Sequence, residues 1–271
     1  SRRTRRAACS AATTRARAWR VTLRMSTELV TDKTYERYCT FQRGDEMGFA
    51  TRAQHAPVMR ALLDRWNCDP FDAMGRGGLY AFPVLLRKGI LREYRRGGIA
   101  RRLLRKGTLT NRPLHEWNIL NWLFNAGFPV PDPLGVVWRR RGLLYTGAIT
   151  TQFLESTNLA EYLTASDGPH EDLLREVGMQ INRMHELCVF HADLHVGNIL
   201  IAAKQSDGHN IYFVDFDNAR ISSVSKFDRA RNLLRLRRSF LKRGLRLTDF
   251  EHILRGYGPI SIPEWLQTAY D

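Results

Sequence analysis

Two apolar runs in this chain carry polar residues at positions where a buried strand should be dry. The first, HADLHVGNILI, sets His191, Asp193, His195 and Asn198 just ahead of Ile199, Leu200 and Ile201. The second, IYFVDFDNARI, places Asp215 and Asp217 inside a hydrophobic stretch. Both runs have the length of buried strands. A polar group that loses its water on burial is tolerated only when something compensates it. A metal, a phosphate or a hydrogen-bond network can do so.

If the two runs pair as a hairpin, Asn198 and Asp215 converge at one end, with Asp193 slightly outside. Asn198 then offers a neutral carbonyl oxygen and Asp215 an anionic one, hard donors suited to Mg²⁺. Asp193 is left to accept a proton from an alcohol. Phosphoryl transfer needs these parts, a metal that neutralises phosphate charge and a carboxylate that orients the attacking hydroxyl. Two blander readings stand beside it. Asp193 and Asn198 could cap a turn, or His191, His195 and Asp193 could hold zinc, although no further strong ligand is evident.

Along the rest of the chain, residues 28–70 are mixed in pattern and yield no assignment. The segment GRGGLYAFPVLLRKGILREY reads as two strands with a turn at Lys88-Gly89. Its opening Gly75, Gly77 and Gly78 would let backbone N–H groups approach phosphates, although a glycine-rich hairpin turn is equally common. Asn111 and Pro113 can open a helix over 114–126, with Trp117, Leu120, Leu123 and Phe124 at helical spacing and Gly127 as the stop. The prolines of FPVPDP demand an extended connection. VVWRRRGLLYTGAITTQFL suggests a hairpin followed by a strand. ESTNLAEYL opens a short helix, and 170–187 reads as a longer one with Leu173, Leu174, Val177, Ile181 and Met184 inward. The order predicts an α+β chain with a small β-rich lobe, 25–151, and a larger helical lobe, 152–271.

The chain has 271 residues, 44% of them hydrophobic, and no run near the ~20 apolar residues that span a bilayer. Cys9, Cys39, Cys68 and Cys188 form no C-x-x-C pair, which points to a reducing compartment. The formal charge is +15, of which the eight arginines within residues 1–24 supply +8 with no acid or lysine. That stretch is expected to be a disordered basic extension, with Met25 the expected start of translation. The remaining basic residues cluster at 87–106 and 226–246. Such clusters attract polyanions or an anionic membrane, although a charge run is also the usual mark of a solvated face.

The spacing H-x-D-x-x-x-x-N followed by an apolar-flanked D-F resembles the protein kinase-like superfamily. That resemblance implies a two-lobed fold, ATP and Mg²⁺, Asp193 as catalytic base, and Asn198 and Asp215 as metal ligands. It makes His191 a buried scaffold residue bonded to backbone and leaves His195 either touching the terminal phosphate or facing solvent. Arg92 falls where such folds place a phosphate-contacting lysine, and Glu116 where its helix partner lies. Their alternative reading is a surface ion pair. Ala192 replaces an arginine common in regulated protein kinases, and the stretch from Asp217 to Phe227 is short. Both features point to a small-molecule or lipid alcohol rather than a protein substrate.

GRGG at 75–78, LREYRRGG at 91–98, GFPVPDPLG at 127–135, the two polar-apolar runs and RARNLLRLRRSFLK at 229–242 together resemble the Kdo (3-deoxy-D-manno-octulosonic acid) kinase family of lipopolysaccharide core kinases. The resemblance covers roughly residues 70–245, and His195 departs from the small polar residue expected there. It implies ATP-dependent phosphorylation of a Kdo hydroxyl, at position 4, on a Kdo–lipid A precursor at the cytoplasmic face of the inner membrane of a Gram-negative bacterium. Arg95, Arg96, Arg101 and Arg102 are then expected to capture the anionic acceptor or its membrane, and no nucleic acid partner is expected. A lipopolysaccharide heptose kinase is a near rival, and an aminoglycoside or choline kinase-like phosphotransferase a further one. From another class, the sequence pI of about 10.2 would suit a non-catalytic nucleic-acid-binding protein.

Overall fold

Tyr38–Arg43 (β1) and Glu46–Thr51 (β2) pair from Tyr38↔Thr51 to Arg43↔Glu46, and Gly44, at φ 60°, turns the chain between them. They open the computed structural model, which describes residues 36–64, 68–70, 79–85, 87–94, 108–166, 168–203 and 209–260. The described residues fall into two compact units. One takes in Pro131–Leu154 and the described part of Val30–Phe124; the other, Asn125–Val130 and the described part of Glu155–Asp271.

The first unit is an antiparallel sheet of seven strands. Beyond β1 and β2 it contains Asp69–Pro70 (β3), Leu79–Val84 (β4), Arg87–Glu93 (β5), Pro133–Arg141 (β6) and Leu144–Gln152 (β7), in the order β1-β2-β6-β7-β5-β4-β3. Phe49 and Ala50 are neighbours on β2 and so point to opposite faces. Ala50 joins Phe82, Leu91, Val137 and Ala148 beneath helix α1, His55–Leu63, whose Val58, Leu62 and Leu63 seal that face. On the other face, Phe49 stacks on Trp117 of helix α2, Arg112–Asn125, with ring centroids 5.0 Å apart. Asn111 opens α2 as its sequence suggests, accepting a hydrogen bond at Oδ1 from the Leu114 N–H. Gly127, at φ 66°, follows its end.

Two sequence expectations fail here. The turn between β4 and β5 is reached at Leu85, not at Lys88-Gly89, because Val84 already pairs with Arg87. Gly89 is inside the strand, where a Cβ would come 2.4 Å from the Phe82 ring. That glycine makes room for an aromatic ring and bends nothing. The second difference is in the β6–β7 hairpin, whose return arm runs unbroken from Leu144 to Gln152, with no separate strand after it in that sheet.

The second unit carries Ser156–Asn158 (β8), Leu159–Ala165 (α3), Glu171–Glu186 (α4), Val189–Phe190 (β9), Ile199–Ala203 (β10), His209–Phe213 (β11), Arg220–Ile221 (β12), Lys226–Lys242 (α5) and Leu247–Tyr257 (α6). Asn158 and Glu161 form a reciprocal capping box at the start of α3. Leu174, Val177, Ile181 and Met184 turn the apolar stripe of α4 inward, while Leu173 is only half-buried. Helices α4 and α6 meet at two glycines. A Cβ on Gly178 would lie 2.0 Å from the Ile253 carbonyl oxygen, and one on Gly256 would lie 1.9 Å from that of Arg175. The chain is α+β, with its seven-stranded sheet in the first unit and, among the described residues, most of its helices in the second beside two smaller sheets.

Candidate active site

The expected hairpin forms. β10 and β11 pair antiparallel from Ile199↔Phe213 to Ala203↔His209, and the Val214 N–H extends the ladder to the Asn198 carbonyl at 3.0 Å. Asn198 and Asp215 therefore arrive at the same end. Asp215 has φ 67°, in the left-handed region, a conformation more costly for any residue with a side chain than for glycine and one that clusters at functional sites. Asn198 is buried, and its Nδ2 donates to the Asp193 carbonyl at 3.0 Å. The amide thus ties Asn198 to Asp193, in part as the turn-capping reading foresaw.

His191 is the scaffold beneath them. It is fully buried and packs on the Phe216 ring at 4.7 Å. Its Nε2–H donates to the Val214 carbonyl at 3.0 Å, and its Nδ1 accepts from the Asp193 N–H at 3.2 Å. Burial lowers its pKa and keeps it neutral, as this donor and acceptor pair requires. With both nitrogens engaged by backbone, His191 has no lone pair for zinc. Among the described residues no group of three His, Cys, Asp or Glu could hold a metal ion.

The Asp193 carboxylate is half exposed. Arg235 of α5 donates from Nη1 to its Oδ1 at 2.6 Å, and His195 Nε2 lies 3.6 Å from Oδ2. His195 Nδ1 accepts from the Gly197 N–H at 3.0 Å, so the proton of the neutral ring sits on Nε2, facing Asp193.

Helix α5 also fastens the loop from behind. Asn232 Nδ2 donates to the His191 carbonyl at 2.9 Å, and its Oδ1 accepts from His185 Nε2 at 3.0 Å. His185 Nδ1 accepts from the Tyr257 hydroxyl at 2.9 Å, and Arg229 donates to that hydroxyl and to Asn182. Burial brings the His185 pKa down to about 4, which holds the ring neutral for these two bonds. The Val196 N–H donates to Ser239 Oγ at 3.1 Å. Sequence reasoning missed Arg235, Asn232 and His185. Asn232 alone left a signal, an uncharged polar residue between Ala230 and Leu233 on the apolar side of a helix.

The donor set fits Mg²⁺. With Nδ2 bonded to the Asp193 carbonyl, Asn198 Oδ1 accepts no hydrogen bond among the described residues, and Asp215 follows Val214, whose N–H meets the Asn198 carbonyl at the same end of the hairpin. Two hard oxygens from protein, completed by phosphate and water, match the way Mg²⁺ is held.

In the first unit, Arg92 of β5 and Glu116 of α2 form an ion pair, and the Tyr94 hydroxyl donates to the same Glu116 Oε2. Glu116 is buried, so this is no surface pair. Burial and the adjoining carboxylate push the Tyr94 phenol well above its ordinary pKa and keep it a donor. Gly75, Gly77, Gly78, Arg95, Arg96, Arg101 and Arg102 lie outside the described residues, as does the 1–24 extension.

Three comparisons bear on this geometry. The Rio2 kinase–ADP/Mg²⁺–phosphoaspartate complex from Chaetomium thermophilum superposes with a TM-score of 0.51 at 15% identity, over 87% of this chain and 76% of that one. That likeness shows a protein kinase-like fold. The 3-deoxy-D-manno-octulosonic acid kinase of Xanthomonas campestris pv. campestris is 35% identical over 209 residues, 71% of this chain and 81% of its own length. The enzyme of that name from Vibrio cholerae is 31% identical over 176 residues, 63% of this chain and 73% of its own. The sequence profile of the Lipopolysaccharide kinase (Kdo/WaaP) family matches residues 68–257, well over half of the chain. An ATP-dependent phosphotransferase by kinship and fold, the chain belongs to the Lipopolysaccharide kinase (Kdo/WaaP) family.

Proposed function

We propose that this protein transfers the γ-phosphoryl group of ATP to the 4-hydroxyl of Kdo on a Kdo–lipid A precursor, at the cytoplasmic face of the inner membrane. The observation that carries the reading is the joining of Asp193, Asn198 and Asp215 at one end of the β10–β11 hairpin, by the Asn198 bond to Asp193 and the Val214 bond to Asn198. The names of the similar proteins supply the sugar.

In this reading Asp193 takes the acceptor proton as the hydroxyl oxygen bonds to the γ-phosphorus. The bond from that phosphorus to its bridging oxygen breaks, and ADP leaves. Arg235 holds one carboxylate oxygen in orientation, and His195 lies 3.6 Å from the other. Asn198 Oδ1 and Asp215 would hold Mg²⁺, which when bound neutralises phosphate charge. Arg92, fixed on β5 by Glu116 and Tyr94, would contact a phosphate. His191 keeps the loop backbone in register and takes no part in proton transfer. The arginines at 95, 96, 101 and 102 complete the proposal as contacts to the anionic acceptor.

The test is incubation with ATP, Mg²⁺ and Kdo–lipid A precursor, followed by mass spectrometry and fragment analysis. The reading requires one added phosphate on Kdo at position 4. Phosphate on a heptose acceptor and none on Kdo would move the protein to its near rival within the lipopolysaccharide core.

A further inference from the structure

Helix α5 presents Arg231, Arg235, Arg238 and Lys242 at intervals of four, three and four residues, so all four cations share one face. Arg235, Arg238 and Lys242 are exposed, and the Arg231 side chain is 43% exposed. Phe227, 41% exposed, falls on the same face four residues before Arg231, while Leu241, 42% exposed, lies at its edge in the row of the buried Leu234. The opposite face, with Leu233, Leu236 and Phe240, is buried. A solvated helix face mixes charge signs along its length, but this one has a single acid, Asp228 in its first turn. Asp228 is already held by Arg220 at 2.8 Å and by Ser225, and these contacts lower its pKa. Cations interleaved with exposed apolar side chains are what an interfacial helix shows to lipid headgroups. Among the described residues no carboxylate pairs with Arg238 or Lys242.

We infer that this face of α5 docks on the anionic phospholipid headgroups of a bilayer, with Phe227 entering the headgroup layer. Arg235 belongs to the stripe and also holds Asp193, so docking brings the lipid surface to the residue that meets the acceptor hydroxyl. The inference rests on the proposed lipid-borne acceptor for its purpose, but its deciding measurement, vesicle binding, involves neither ATP nor that acceptor.

The experiment is co-sedimentation of the full chain with vesicles of phosphatidylcholine alone and of equal parts phosphatidylcholine and phosphatidylglycerol. The wild-type protein should partition onto the anionic vesicles and not the zwitterionic ones. Each cation near such a surface changes partitioning about fivefold, so Arg238→Ala with Lys242→Ala should lower it about thirtyfold. Both changes favour helix, and neither residue touches the catalytic loop. Circular dichroism and phosphate transfer to a soluble acceptor should therefore match wild type. Arg238→Lys should restore most of the binding lost in Arg238→Ala, since a headgroup layer reads charge. Equal partitioning of the double variant and wild type overturns the inference. So does wild-type binding to duplex RNA with none to anionic vesicles.

Discussion

Arg235 Nη1 donates to Asp193 Oδ1 at 2.6 Å, so the carboxylate proposed to meet the acceptor is oriented by a helix well downstream of its own loop. Both side chains are nearly half exposed, which limits the pair to about 1 kcal/mol. Arg235→Ala should lower kcat about fivefold with ATP KM unchanged. Arg235→Lys should recover part of the loss, since lysine keeps the charge but not the planar fork. A rise in ATP KM at constant kcat would place Arg235 elsewhere in the reaction.

Glu116 accepts from both Arg92 and Tyr94 within a buried site. Glu116→Gln keeps the shape and removes the charge that holds the guanidinium. Steady-state kinetics should then show ATP KM raised about tenfold, the scale of one lost charge-assisted hydrogen bond, with acceptor KM little changed. The opposite pattern would remove Arg92 from phosphate binding.

His185 titrates at about 4 in the folded protein, against an ordinary 6.5. The unfolded chain therefore binds a proton that the folded one refuses between these values. Stability from this group is complete above pH 6.5 and declines as pH falls toward 4, by on the order of 3 kcal/mol in all. His191 shifts in the same direction. Urea unfolding across pH 4–7 should show the decline, and His185→Gln should flatten it while lowering stability at neutral pH. An unchanged slope in that variant would assign the effect to other groups.

Gly178 lies where a Cβ would strike the Ile253 carbonyl at 2.0 Å. Gly178→Ala must push α4 and α6 apart, an overpacking cost of about 1–3 kcal/mol visible as a lower Tm. Gly168→Ala, whose nearest neighbour would be 4.0 Å away, is the control and should be neutral.

Much of this site was legible because it lies in two short segments. Asp193, Asn198 and Asp215 sit at fixed offsets from apolar runs, and hairpin pairing alone was enough to bring them together. Arg235 and His185 belong to helices whose register against the loop depends on tertiary packing, and a charged residue in an arginine-rich helix carries no mark of the partner it will meet. The misplaced β4–β5 turn has a similar origin. Gly89 looked like a turn residue, whereas Phe82 across the strand required it, and Leu85 turned the chain at φ 46° instead. Residues 28–70 gave no assignment because β1, β2 and α1 are short, and their burial comes from sheet neighbours distant in sequence.

The central claim is that Asp193 serves the acceptor while Asn198 and Asp215 serve the metal and its nucleotide. The most direct measurement is single-turnover phosphate transfer by Asp193→Asn, made on protein shown by calorimetry to bind Mg·ATP as wild type does. The account predicts unaltered nucleotide affinity with transfer slowed about 10²- to 10⁴-fold, the usual contribution of a positioned base. Transfer at the wild-type rate would contradict it.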